Sequence, residues 1–480
     1  MHYLKKIFTP SSPLSLLEII EILLLLLLVV GSTIYFSYTN ILNGDEREHL
    51  TASFYIYKGL TPYKDFFEHH HPLLWYIFAP FLILFNNTEY IWYILRTFTL
   101  ILIIINSFYI HKICFLILKN KYFSILSICL SLAPHCVFLS QTEFRPDSLM
   151  MTFFLIGIYH YFLAIKNQSP KNLAISFIYF TLSFFTLQKA LIHLLPYILT
   201  TLYLLHKHII HPKDLLKSLY IPLIICLSYT IYLYQTNTLK DYFELNWLLN
   251  LKLSLDIHYP IHFTLYYYIS NILALSHLFN KDYLLKYICF YSLLTSFILQ
   301  FIFLGTYRHY WLPIYPYFAI ICAYTIITLT PKLRALTLFI FFLTTLNNNI
   351  FWYKNNNKFP RLSSFVYLSK QVLSQSSPND LIIGNYSSLG GLRFDASGYY
   401  WFGRDYVAQL DYINFKRREY PNLDTILKQH TPKIIATEIG IDCMTSTQEY
   451  TFNCKILPTY DSEFLSLHYN NHGFIHIRKY

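Results

Sequence analysis

The residue types that could do chemistry gather in residues 43–75, NGDEREHLTASFYIYKGLTPYKDFFEHHHPLLW. Asp45, Glu46, Glu48, Asp65 and Glu68 bring carboxylates; His49, His69, His70 and His71 bring imidazoles. Such a concentration offers a general base and metal ligands alike. The opening Asn43-Gly44-Asp45-Glu46 has a second reading, a helix N-cap with an acidic first turn that the helix dipole favours without any chemistry. The histidine run is weak evidence for a metal, because neighbouring histidines on one helix point different ways. Strongly apolar runs flank the segment, and charges clustered beside membrane-embedded helices mark function.

Three short stretches elsewhere repeat the polar theme. Glu143, Arg145 and Asp147 stand in QTEFRPD, where Pro146 is placed to open a helix. A local ion pair in a turn accounts for them as well as a phosphate site does. Gln188-Lys189 is caught between two apolar runs, where a lysine suits an anionic headgroup. Arg308-His309-Tyr310 occupies another short loop. Cations in separate loops beside a carboxylate-rich one fit a phosphate-bearing lipid substrate.

The elements that must position these residues are membrane helices. The 480-residue chain is 55% hydrophobic and 13% charged, with mean hydropathy +0.37. Soluble domains carry about 25% charged residues, so the composition describes a polytopic α-helical membrane protein. The net charge of +11 lies largely in short loops between apolar runs, as the positive-inside rule expects, and gives no ground for nucleic acid as a partner. No cleavable signal peptide is evident ahead of the first span.

Spans are expected at 14–38, 89–111, 122–140, 148–165, 171–187, 190–206, 215–234, 262–279, 283–304, 311–330 and 333–351, about eleven in all. Residues 72–85 are apolar but shorter than the ~20 needed to cross. If they crossed, the Lys/Arg-rich loops after them would lie outside. The charge rule therefore prefers a juxtamembrane helix, with loops near 112–121, 166–171, 207–217, 281–286 and 332–334 in the cytoplasm. The outer loops are then 39–88, 141–147, 188–189, 235–261 and 305–310. Glu18 and Glu21, at the shoulder of the first span, are read as interfacial.

Residues 1–351 form the membrane part and 352–480 a small outer α/β domain, with the Asn-rich patch 347–357 as linker. LIIGNYSS and PKIIATE read as buried strands and 420–430 as a helix. No internal repeat is detected. Six cysteines lie in apolar runs as small core residues. Cys443 and Cys454 stand in the outer polar domain, where a disulfide is permitted, and are expected to pair.

DEREHLTASFYIYKGLTPYKDFFEHHHPLLW resembles the first outer loop of bacterial GT-C glycosyltransferases related to the protein O-mannosyltransferases and the lipid A aminoarabinose transferase. FRPD, QKA and RHYWLP also look like pieces of that group. One departure is His71, which stands where a first proline is usual. The resemblance implies a GT-C-like fold, a polyprenyl-phosphate-linked sugar as donor, and a lipid, glycan or protein acceptor. It implies Asp45 as the general base with Glu46 beside it, and inversion at the anomeric carbon. Glu48, His49, Tyr63, Asp65, Glu68, His69, His70 and Asp147 would position the acceptor or the loop. Arg145, Lys189, Arg308 and His309 would hold the leaving phosphate. A divalent metal is used by only some relatives and stays open. The implied location is the bacterial inner membrane, with the active site and C-terminal domain on the periplasmic face.

The alternative is a transporter or flippase for a lipid-linked saccharide. That function would place ionisable groups near the middle of the membrane, on broken helices in repeated halves. Here the charges gather in loops.

Overall fold

A computed structural model describes residues 13–134, 140–252, 265–301, 308–356, 362–384, 391–401, 423–436, 467–471 and 475–479. Helix α1 (Leu16–Thr39) leads to α2 (Gly44–Tyr57) and to a short apolar helix, α3 (Leu73–Phe78), which continues through a 3-10 turn to Phe85. Then come α4 (Ile91–Leu118), α5 (Lys121–Leu132), α6 (Pro146–Asn167), α7 (Pro170–Thr186), α8 (Ala190–His206) and α9 (Pro212–Gln235). After α10 (Leu239–Phe243) and a π-helical turn, Glu244–Leu249, the bundle closes with α11 (Leu265–His277), α12 (Tyr283–Phe301), α13 (Tyr315–Thr328) and α14 (Pro331–Asn356).

Among the described residues seven helices are long and apolar enough to cross a membrane: α1, α4, α6, α9, α12, α13 with its leading turn, and α14. Residues 73–85, α5 and α8 are apolar but shorter. The protein is thus a multi-pass helical membrane protein. Leu216, Leu223 and Leu227 on α9, with Leu336 and Ile340 on α14, point outward, where a bilayer would cover them.

Local chemistry sets the helix ends. Pro146, Pro170 and Pro212 open their helices, where the missing N–H loses nothing. Lys119 and Gln168 close theirs in the left-handed region, at φ 54° and 48°. Inside the bundle polar side chains pair, as Tyr197 and Tyr317 do through their hydroxyls at 2.6 Å. Gly157 lets α6 and α7 approach: a Cβ there would lie 2.4 Å from the Phe180 ring.

Four expectations need correction. Helix α4 runs to Leu118, not to 111, and Lys112 lies within it, its Nζ over the rings of Phe108 and Tyr159 at 4.9 and 5.3 Å. Residues 347–356 of the Asn-rich patch form nearly the last three turns of α14, which crosses the boundary expected after residue 351. The first part of the 235–261 loop is helical, in α10 and the π turn. Glu18 is buried: it caps α1 through Ser15 N at 2.7 Å and accepts from Arg334 of α14 at 3.2 Å.

The C-terminal part comprises α15 (Leu362–Gln375), β1 (Leu381–Gly384), β2 (Phe394–Asp395), α16 (Leu423–His430), β3 (Ile434–Ala436), β4 (Tyr469–Asn471) and β5 (Ile475–Arg478). The sheet order is β2-β1-β3-β5-β4, with β1 parallel to β2 and β3, and β5 antiparallel to β3 and β4. Cys443 and Cys454 lie outside the described residues, so their expected pairing has no structural counterpart here.

This part sits on α2 and the loop after it. Phe394 stacks on Tyr55 at 5.7 Å, Phe67 N donates to Tyr399 O at 2.8 Å, and Trp92 Nε1 donates to Ser369 Oγ at 2.7 Å. Gly391 makes the approach possible. Its φ is +73°, and a Cβ would fall 2.4 Å from Leu50 Cγ. Gly391→Ala is therefore expected to cost about 1–3 kcal/mol, seen as a lower midpoint of thermal unfolding in detergent. An unchanged midpoint would count against this contact.

Candidate active site

The loops that carry the candidate residues all meet at one end of the bundle. This end holds the C-terminus of α1, the N-terminus of α6, the α7–α8 turn and the 3-10 turn Arg308–Ile314 before α13. The opposite end gathers the basic turns around Lys119, Lys166 and Asp282, which lie close enough to interact.

At the start of α2 the capping reading holds, and the two acids of the pair meet different partners. Asn43 is the N-cap, and Glu46 completes a capping box by accepting from Asn43 N at 3.0 Å. Glu46 is fully buried and also accepts from Arg96 Nη2 at 2.6 Å and Phe144 N at 2.9 Å. Burial pushes its carboxyl upward, against the pull of Arg96 and the two backbone N–H groups. Its oxygens are committed to holding α2, α4 and the segment before α6 together.

Asp45 faces elsewhere. Its carboxylate pairs with Arg145 Nη1, and its side chain keeps 33% of its surface exposed. Arg145 is a hub. Its Nε lies 3.3 Å from Asp147 Oδ2, its Nη2 donates to His309 Nε2 at 3.3 Å, and its Nη1 is 3.9 Å from Glu143. Lys189 pairs with the other oxygen of Asp147 and stands 4.3 Å from the centre of the Tyr310 ring. Burial pulls the Lys189 amine down to about 8, with the Asp147 charge opposing. Asp45, Arg145, Asp147, Lys189 and His309 thus form one cluster, although four separate loops supply them. The backbone of Arg308 opens the same 3-10 turn.

A second cluster forms one turn along α2. His70 Nδ1 lies 2.9 Å from Glu68 Oε1 and 3.3 Å from Glu48 Oε1; His69 Nδ1 lies 3.6 and 4.0 Å from the same two oxygens. One ligand atom from each of these four residues falls within 4.8 Å of the others, a set able to hold a divalent cation. The two rings are neighbours with centroids 4.0 Å apart, because residues 68–71 are not helical. The expectation that they diverge is overturned for that reason. Burial and then the Glu68 carboxylate push Glu48 up to about 8. Burial pulls His70 down, but the neighbouring Glu48 and Glu68 carboxylates outweigh it and raise the imidazole to about 10.

The remaining loop residues hold this cluster in place. Tyr63, at φ 68°, donates its hydroxyl to His70 O at 2.7 Å, and Asp65 accepts from Thr61 N at 2.7 Å to close the turn. His49 accepts from Trp75 Nε1 at Nδ1, 3.2 Å away, so its proton sits on Nε2.

Several contributors escape a sequence reading. Arg96 lies in WYILRTFTL, and a lone charge in an apolar run is the signal that could have found it. His71, the departure from the usual proline, is buried and bridges elements. Its Nδ1 donates to Phe184 O at 2.7 Å and its Nε2 accepts from Tyr242 at 3.0 Å. Asn250 Nδ2 donates to His69 O at 2.7 Å, and Gln188 Nε2 to the same oxygen at 3.3 Å. Nothing in the sequence pairs them with a loop more than a hundred residues away.

Residues 69–234 match the family model described as dolichyl-phosphate-mannose-protein mannosyltransferase, roughly a third of the chain. The match contains Arg145, Asp147 and Lys189 and begins after Asp45. No curated protein matches the chain. Among solved structures, the crystal structure of the Archaeoglobus fulgidus oligosaccharyltransferase in complex with Zn and sulfate aligns with 89% of this chain and 68% of its own. Identity is 10% and the TM-score 0.46, a likeness that carries no argument about the site.

Proposed function

We propose, for a chain whose family match and multi-pass architecture support a membrane glycosyltransferase of the GT-C class, that it moves a sugar from a polyprenyl-phosphate donor to a hydroxyl of a cell-envelope lipid, glycan or protein. The observation that carries this reading is the pairing of a part-exposed carboxylate, Asp45, with the buried Arg145, and of Lys189 with Asp147 beside it, at one end of the bundle. Asp45 takes the acceptor proton as the acceptor oxygen attacks the anomeric carbon. The bond from that carbon to the phosphate oxygen breaks, and the configuration inverts. Charge builds on the departing polyprenyl phosphate, where Arg145 and Lys189, with His309 and Arg308 in the same turn, stabilise it. The basic turns at the opposite end support a cytoplasmic position for that end under the positive-inside rule, and in this reading the chemistry faces outward from the bacterial inner membrane. The chain up to the end of α14 is the catalytic unit, and the part after it is the outer domain that packs on α2.

The reading is tested with a labelled polyprenyl-phosphate sugar and the detergent-solubilised protein. Lys189→Met should weaken donor binding about tenfold or more, roughly 1.4 kcal/mol. Donor affinity in the wild type should be level below pH 8 and fall above it, because the ammonium form binds phosphate and its proton leaves at about 8. Lys189→Arg should remove that fall, since a guanidinium keeps its charge. Donor affinity unchanged in Lys189→Met, and level to pH 10, would take Lys189 out of the phosphate site.

A further inference from the structure

The geometry points to a structural Zn²⁺ site built by Glu48, Glu68, His69 and His70, which ties α2 to the end of its loop. The inference does not depend on the proposed reaction. Zinc in structural sites takes four protein ligands in a tetrahedron, with bonds of about 2.0–2.2 Å to nitrogen and oxygen. The edge of such a tetrahedron is about 3.3–3.5 Å by the same bond lengths. The four separations between the histidine Nδ1 and glutamate Oε1 atoms are 2.9, 3.3, 3.6 and 4.0 Å, which scatter about that edge.

A second observation is independent of spacing. Glu48 and Glu68 are buried, yet Glu48 Oε1 and Glu68 Oε2 accept no hydrogen bond from the described residues. The Nδ1 of His70 can give one proton, and Glu68 Oε1 is the nearer acceptor at 2.9 Å. Buried carboxylate oxygens without a donor are costly, and a divalent cation satisfies them. Two imidazoles and two carboxylates suit zinc, whereas magnesium and calcium favour oxygen ligands throughout. Four protein ligands leave no open position, so the metal's role is to hold shape.

The surroundings fit that role. The backbone of the ligand loop is fixed by Tyr63, Asn250 and Gln188 through the His69 and His70 carbonyls. Glu48 lies one helical turn beyond Asp45, so a metal on Glu48 would fix the face that presents Asp45.

The test is zinc content and ligation in the purified, detergent-solubilised full chain, incubated with ZnCl₂ and then freed of excess by gel filtration. About one zinc per chain is expected, with a thermal midpoint that falls on chelation and returns on adding zinc. X-ray absorption at the zinc edge should show nitrogen and oxygen ligands with two imidazoles, a readout that needs no variant. Glu68→Gln combined with His70→Asn should lose the metal while keeping the elution volume of the wild type. Less than about a fifth of an equivalent in the wild type would overturn the site. So would sulfur or all-oxygen ligation, or undiminished zinc in the double variant.

Discussion

Asp45→Asn is expected to lower sugar transfer at least about a hundredfold, within the 10²–10⁴ that a positioned general base contributes. The amide keeps the shape of the side chain, and the cap belongs to Asn43, so α2 should form as before. Expression and thermal midpoint should stay near those of the wild type. Donor binding should be retained or tightened, because Arg145 loses its carboxylate partner and becomes freer for a phosphate. That combination separates a base from a merely structural acid. Asp65→Asn should do less, since Asp65 only closes the turn at Thr61. The measurement is turnover and donor affinity with a labelled polyprenyl-phosphate sugar. If Asp45→Asn keeps more than about a tenth of wild-type turnover, the base lies elsewhere. Asp147 and Glu48 would then be next to examine.

Much of the scaffold was legible from the chain because it rests on local rules. Apolar runs marked the helices, Pro146 marked the start of α6, and the strands at Leu381 and Ile434 stood out as short apolar runs. The loops that meet at Asp147 were legible too, because Arg145, Lys189 and His309 are each a polar interruption between apolar stretches. The division of labour inside the acidic pair was not. Asp45 and Glu46 differ by about 100° around one helix, and only the folded bundle sets Arg145 against one and Arg96 against the other. Likewise the convergence of His69 and His70 depends on the non-helical backbone at 68–71, which no periodicity announces. Helix α14 read as a linker at its end because its asparagines are poor helix formers, and propensity yields to a helix already sixteen residues long.

Arg96→Met should be the most damaging single change for stability, about 3–5 kcal/mol, because it leaves a buried carboxylate without its cation. Glu46 has no exposed surface, and Arg96 Nη2 at 2.6 Å is its one charged hydrogen-bond partner among the described residues. The guanidinium also donates to Ile41 O at 3.0 Å and to Thr142 O at 3.0 Å, so the change loosens both loops that frame Asp45 and Arg145. The loss should depend on pH with a definite sign. Burial already pushes the Glu46 carboxyl above its usual range. Removing Arg96 pushes it higher, so the folded variant holds a proton that the unfolded chain releases at ordinary carboxylate pH. Stability of Arg96→Met should therefore be greatest at acid pH, where both states are protonated, and fall as pH rises from the unfolded carboxyl value towards the raised folded one. Adding Glu46→Gln should return part of the loss at neutral pH and flatten that dependence, since a neutral amide needs no cation. Thermal midpoints in detergent at pH 5 and pH 8 decide the matter. Equal losses at both, with no rescue by Glu46→Gln, would show that Arg96 acts through the backbone carbonyls alone and that Glu46 is not its charge partner.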